Sequence, residues 1–152
     1  MSSARILVVD DELFVRELLL EFLSIQGYEV SLAESGEKAI ELVYTQPADV
    51  VLLDLKMSGM DGIETLKQIR KTSPNTLAII MTGYPTVESS IEALRHGACD
   101  YVIKPFKLND LKSSIENALR EHELESETGK LKSRIVELEA ELEKVTYLQK
   151  KI

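Results

Sequence analysis

Val50-Val51-Leu52-Leu53-Asp54 is a run of aliphatic residues closed by a carboxylate. Nothing in the run alternates between apolar and polar. A short, continuous apolar stretch suits a strand covered on both faces of a parallel sheet. Three further runs share this character: Ile6-Leu7-Val8-Val9, Leu77-Ala78-Ile79-Ile80-Met81 and Tyr101-Val102-Ile103. A weaker fifth strand is read at Glu29–Ala33.

The segments between these strands carry helical spacing. Val15, Leu18, Leu19 and Phe22 recur on one face, Arg16, Glu17 and Glu21 occupy the other, and Gly27 closes this first helix. Ser35 is placed to cap a second helix over residues 37–44. A third covers residues 62–71 with Ile63, Leu66 and Ile69 inward. A fourth starts near Pro85, a residue suited to a first helical turn, carries Val87, Ile91 and Leu94, and ends at Gly97. Five strand–helix repeats imply a parallel sheet with helices on both faces. Ligands of such sheets bind beyond the C-terminal ends of the strands. The residues that follow each apolar run are therefore the ones to inspect.

Beyond Pro105 the pattern changes. A fifth helix is expected from Leu108 or Asn109, with no later proline and one glycine, Gly129. Leu124, Leu131, Ile135, Leu138, Leu142, Val145 and Ile152 fall at spacings of four and three, with Thr128 and Gln149 filling two gaps. This is a heptad seam. The expectation is one long helix, frayed around residues 126–129, whose segment 121–152 pairs in parallel with a second copy. The alternative is an amphipathic helix that folds back or packs on another domain. The expected division is thus a folded domain over residues 1–120 and a coiled-coil segment over 121–152.

Composition narrows the function classes. Of 152 residues, 44% are hydrophobic and 29% charged, as in globular proteins. No apolar stretch reaches the roughly 18 residues of a membrane span. The N-terminal residues lack the apolar core of a secretory signal. The single cysteine, Cys99, cannot form an internal disulfide, which favours the cytoplasm. A net charge of −8 disfavours direct nucleic-acid binding by this segment.

The strand ends carry the chemistry. The first strand ends in Asp10-Asp11, the third in Asp54, the fourth in Thr82 and the fifth in Lys104-Pro105. A parallel sheet brings all of them to one edge. Three crowded carboxylates must take up protons or bind a cation. Oxygen ligands without nearby His or Cys point to Mg2+ or a similar hard ion. Beside such an ion, Asp54 suits a nucleophile that forms an acyl phosphate. Lys104 offers charge to phosphoryl oxygens, and Thr82 offers a hydroxyl.

Asp10-Asp11, the run around Asp54, Met60-Asp61-Gly62, Met81-Thr82-Gly83 and Lys104-Pro105-Phe106 together resemble the receiver domains of bacterial two-component response regulators. The likeness covers about residues 4–120. The stretch from Met81 to Phe106 looks most like receivers of NtrC-type transcription activators. The resemblance implies a flavodoxin-like (βα)5 fold with strand order 2-1-3-4-5. It implies Asp54 as phosphoacceptor, and Asp11, Asp54 and the backbone carbonyl of Lys56 as direct Mg2+ ligands, with Asp10 acting through a bound water. Thr82 and Lys104 would meet the phosphoryl group, and Tyr101 would be the aromatic residue that turns inward with Thr82. The Lys104–Pro105 bond is expected to be cis, a state tolerated before proline. The implied partners are a histidine kinase and a second copy, through the coiled coil or the face of the fourth helix, fifth strand and fifth helix. The implied output is transcription control.

Blander readings stand beside these. Asp10-Asp11 alone would serve as a helix N-cap pair. Thr82 is an ordinary strand-end residue, and Tyr101 suits static core packing. His96 and His122 read as solvated, and Cys99 as a small buried residue. The chain is expected to be a switch rather than an enzyme. A Mg2+-dependent phosphatase with an aspartyl intermediate shares the chemistry, but that class places a second aspartate where Lys56 stands. A purely structural dimerisation module is the third reading. After residue 120 no helix-turn-helix pattern, P-loop or second catalytic domain is legible, and the sequence leaves open whether a longer protein continues.

Overall fold

A computed structural model describes residues 3–151. Strands and helices alternate: β1 (Arg5–Val9), α1 (Leu13–Ile25), β2 (Glu29–Ala33), α2 (Gly36–Thr45), β3 (Val50–Asp54), α3 (Gly62–Thr72), β4 (Leu77–Thr82), α4 (Val87–Arg95), β5 (Ala98–Ile103) and α5 (Leu108–Lys151). The strands pair in parallel in the order β2-β1-β3-β4-β5. The parallel sheet is the one that the apolar runs imply, and its order is the flavodoxin-like, doubly wound one implied by the resemblance to receiver domains.

Burial on both faces explains why β3 reads as a continuous apolar run. Val51 and Leu53 join Leu7, Val9, Ala78 and Ile80 in a core closed by Ala39 and Val43 of α2, Leu66 and Ile69 of α3, and Ala93 of α4. Val50 and Leu52 point the other way. With Ile6, Val8, Ile79 and Met81 they meet Leu19 and Leu23 of α1 and Leu111 and Ile115 of α5. Each such aliphatic side chain, fully buried, contributes about 1.5–3 kcal/mol. The helix starts are chemically marked. Ser35 accepts a hydrogen bond from the Lys38 amide and Asp61 from the Glu64 amide, which satisfies donors that the first turn leaves open.

Several local readings need correction. In α1 the innermost residues are Leu19 and Leu23, while Leu18 is partly exposed. Pro85 precedes the cap Thr86 and so stands outside α4. Val87, Ile91 and Leu94 of α4 face outward, and the small Ala93 is the residue that meets the sheet. Cys99 is exposed rather than buried. The register between β4 and β5 slips there, Ala78 opposing Ala98 and Ile79 opposing Asp100, which leaves Cys99 as the extra residue of an edge strand. That bulge, with its polar neighbour Asp100, also hid the first half of β5 from periodicity.

The chain divides into two compact units, residues 1–119 and 120–152. In the first, α5 buries Leu111, Ile115 and Ala118. In the second, α5 runs unbroken through residues 126–129, and the described side chains are exposed. One mid-helix glycine costs only about 1 kcal/mol relative to alanine, too little to interrupt a long helix. Ile152, the last seam position, lies outside the described residues.

Candidate functional site

The C-terminal ends of β1, β3 and β5 converge. Carboxylate oxygens of Asp10, Asp11 and Asp54 lie within 4.8 Å of one another, the one group of this kind among the described residues. Backbone bonds set the frame. The Asp10 amide donates to the Ala33 carbonyl at 3.1 Å, the Leu55 amide to Met81 at 3.3 Å, and the Lys104 amide to the Thr82 carbonyl at 2.7 Å. Lys104 and Thr82 are thereby held side by side, and the Lys104–Pro105 peptide is cis.

Asp10 is fully buried. Its Oδ1 accepts the Glu12 amide at 2.9 Å, and its Oδ2 accepts from Lys104 Nζ at 2.6 Å. The Arg16 guanidinium donates to its carbonyl oxygen at 2.8 Å. The cap position of α1 falls on Glu12, which makes no side-chain cap bond, so the Asp10-Asp11 pair does not cap that helix. Asp54 is 4% exposed; its Oδ1 accepts the Lys56 amide at 3.3 Å and its Oδ2 lies 3.4 Å from Lys104 Nζ. Asp11 is exposed, and its Oδ2 accepts the Ser58 amide at 3.3 Å.

Lys104 thus pairs with Asp10 and Asp54, while Asp11 adds a third carboxylate to the cluster. Burial, and then the charge of Asp10, push the Asp54 carboxyl up to about 6, although Lys104 and the Lys56 amide pull the other way. Burial alone would lower the Lys104 value. The hydrogen bond to Asp10 and the charges of Asp10, Asp54 and Glu12 outweigh it and hold the ammonium above the usual lysine range. The pocket therefore retains more negative charge than its lysine neutralises. An all-oxygen donor set of this kind fits a hard divalent cation.

Thr82 is buried, and its Oγ1 accepts the Tyr84 amide at 3.1 Å. Tyr101 is not part of the carboxylate cluster; it packs half-buried against the core, with its hydroxyl 3.0 Å from Ser89 Oγ. Gly62 is tied to the site sterically. A Cβ there would collide with the Asp54 carbonyl oxygen and stand 2.6 Å from Leu55 Cα. Gly83 is different: a Cβ would meet only Lys104 Cβ at 3.9 Å. Its small size is not demanded by packing.

Sequence reading missed Arg16, Ser58 and the contact of Lys56 Nζ with the Tyr84 ring, 4.3 Å from its centroid. Arg16 binds a backbone atom six residues away, and Ser58 acts through its amide. Neither leaves a side-chain signature in the sequence.

Residues 6–116 match the family model of the response regulator receiver domain. The chain belongs to that family. Relatives of this receiver include the transcriptional regulatory protein ZraR of Escherichia coli (strain K12), 45% identical over 124 residues, which are 81% of this chain and 28% of ZraR. The regulatory protein AtoC of the same strain is 45% identical over 123 residues, 81% of this chain and 27% of AtoC. Among solved structures, a CheY-like receiver domain protein from Methanospirillum hungatei JF-1 aligns with a TM-score of 0.80 at 33% identity, over 82% of this chain and 99% of that one. NtrX from Brucella abortus aligns with a TM-score of 0.80 at 33% identity, over 86% of this chain and 30% of that one. The likeness to NtrC-type regulators is thus carried by sequence and by fold. The receiver spans less than a third of the length of ZraR and AtoC. No helix among the described residues is long and apolar enough to cross a membrane.

Proposed function

We propose that Asp54 accepts a phosphoryl group from the phosphohistidine of a kinase, in a pocket that holds Mg2+ through Asp10, Asp11, Asp54 and the Lys56 carbonyl. The observation that carries this reading is the meeting of three carboxylates within 4.8 Å beside Lys104. When bound, the cation offsets the charge of the carboxylates and of the incoming phosphoryl oxygens. An Asp54 carboxylate oxygen attacks phosphorus, the phosphorus–nitrogen bond breaks, and the imidazole leaves with the electron pair. Lys104 then exchanges a carboxylate partner for a phosphoryl oxygen, and the Thr82 hydroxyl donates to another. Tyr101 follows Thr82. A bias of a few kcal/mol between two packings is enough to shift their populations.

The segment over residues 121–152 pairs in parallel with a second copy. Leu124, Leu131, Leu138 and Val145 take d positions, and Ile135 and Leu142 take a positions; Ile135 at a between Leu131 and Leu138 at d is the combination that favours two strands. In the single chain these side chains are 47% to 66% exposed. The flanking charges agree. In a parallel pair each g residue faces the e residue five positions on in its partner, which sets Glu127 against Lys132 and Arg134 against Glu139. Because α5 is continuous into this seam, the pairing is the element through which phosphorylation reaches an output, here transcription.

The decisive test is labelling by a small phosphodonor in Mg2+. The wild-type protein labels and the Asp54→Asn variant does not; undiminished labelling of the variant would remove Asp54 from its role.

A further inference from the structure

Ser89 Oγ stands at the centre of a small polar network. It is the third residue of α4 and the return arm of the capping box: Thr86 Oγ1 accepts the Ser89 amide at 3.0 Å, and Ser89 Oγ accepts the Thr86 amide at 3.2 Å. Two further hydroxyls lie within reach, Thr86 Oγ1 at 2.9 Å and Tyr101 at 3.0 Å, and the Thr86 carbonyl oxygen is 3.1 Å away. A serine hydroxyl has one proton and two lone pairs. Its lone pairs are filled by the Thr86 amide and the Thr86 hydroxyl. Its proton can go to the Thr86 carbonyl or to the Tyr101 oxygen. The Thr86 carbonyl already accepts the Ser90 amide at 3.0 Å and the Ser90 hydroxyl at 2.8 Å, so both of its lone pairs are taken. The Tyr101 oxygen is the acceptor that completes the set.

We infer that Ser89 is a positioning residue for Tyr101: its hydroxyl holds the ring against the first turn of α4, so that turning the ring breaks a bond inside the α4 cap. This rests on the reading that Tyr101 moves when Asp54 is phosphorylated. It adds where the motion is resisted and where it is first felt. The Ser89–Tyr101 bond favours the packing in which the ring lies beside α4. Its loss returns the Ser89 proton to a carbonyl that is already saturated and alters the cap of the helix that displays Val87, Ile91 and Leu94.

The consequence is a linkage. Whatever holds Tyr101 in place must be overcome by the phosphoryl group, so weakening the hold raises affinity for a phosphoryl mimic. Beryllofluoride in Mg2+, titrated by calorimetry, reads this out. Ser89→Ala and Tyr101→Phe are each expected to bind it roughly threefold to tenfold more tightly than wild type, the range set by one neutral hydrogen bond. The double variant should bind no more tightly than either single variant, since both remove the same bond. Ser89→Thr keeps a hydroxyl and should restore wild-type affinity. A serine that merely caps α4 predicts something else: additive effects, or a drop in melting temperature with unchanged affinity. Either result overturns the inference. Beryllofluoride binding that survives Asp54→Asn, or that is missing from the wild type, would instead overturn the phosphoacceptor reading beneath it.

Discussion

Asp54 shows how much a single residue's surroundings can do. Its carboxyl is raised from 3.8 to about 6, so the folded protein binds the proton more tightly than the unfolded chain. Stability then falls as pH rises from about 4 to about 6, because ionising Asp54 opposes folding when no cation is present. Asp54→Asn mimics the protonated form. In EDTA at pH 7 it should be more stable than wild type by up to about 2–3 kcal/mol. The gain should fade to nothing below about pH 4, as chemical denaturation across that range would show. A variant less stable than wild type at pH 7 would contradict the charge balance described for the pocket. Gly62 is the steric counterpart. Its missing Cβ makes room for backbone atoms of Asp54 and Leu55, which cannot swing aside as a flexible side chain would. Gly62→Ala should cost about 1–3 kcal/mol in thermal or denaturant unfolding, whereas Gly129→Ala, with nothing within 4 Å, should be neutral or stabilising. The carboxylates, Thr82 and Lys104 were legible because each ends an apolar run. Arg16, Ser58 and Ser89 were not, because their partners are backbone atoms or a distant ring.

Elements differ in how they are held. The strands β1, β3 and β4 are buried on both faces, so apart from the terminal Arg5, Asp54 and Thr82 their sequences are apolar and their limits are easy to read. α4 meets the sheet through Ala93 and exposes larger apolar residues, so its periodicity misleads about which side is inward. The second half of α5 is the extreme case, since the described side chains of its apolar stripe are exposed. In the proposed dimer a second copy covers this stripe. Replacing Leu131 and Leu138 together by lysine should convert the dimer to a monomer in sedimentation equilibrium while leaving the melting temperature of the receiver unchanged. Val136, equally exposed but off the seam, should tolerate lysine without loss of the dimer. Monomeric wild-type protein at tens of micromolar would dispose of the paired helix.

At the scale of the whole molecule, cation binding and folding are linked. A ligand that binds only the folded state stabilises it, by about 2.7 kcal/mol at a hundred times its dissociation constant. Mg2+ should therefore raise the melting temperature, and Asp11→Asn should abolish that gain without lowering stability in EDTA. An equal Mg2+ effect in the variant would place the ion elsewhere. By itself the sequence determined the alternation of strands and helices, the parallel sheet and the edge at which the acidic residues gather. Those follow from local spacing and from burial on two faces, which every residue of a strand records. Tertiary structure alone decided which atoms touch: that Lys104 divides itself between Asp10 and Asp54, that Gly62 must lack a side chain, and that Tyr101 rests on Ser89. Contacts between residues far apart in the chain depend on how the layers pack, and no local pattern in the sequence encodes them.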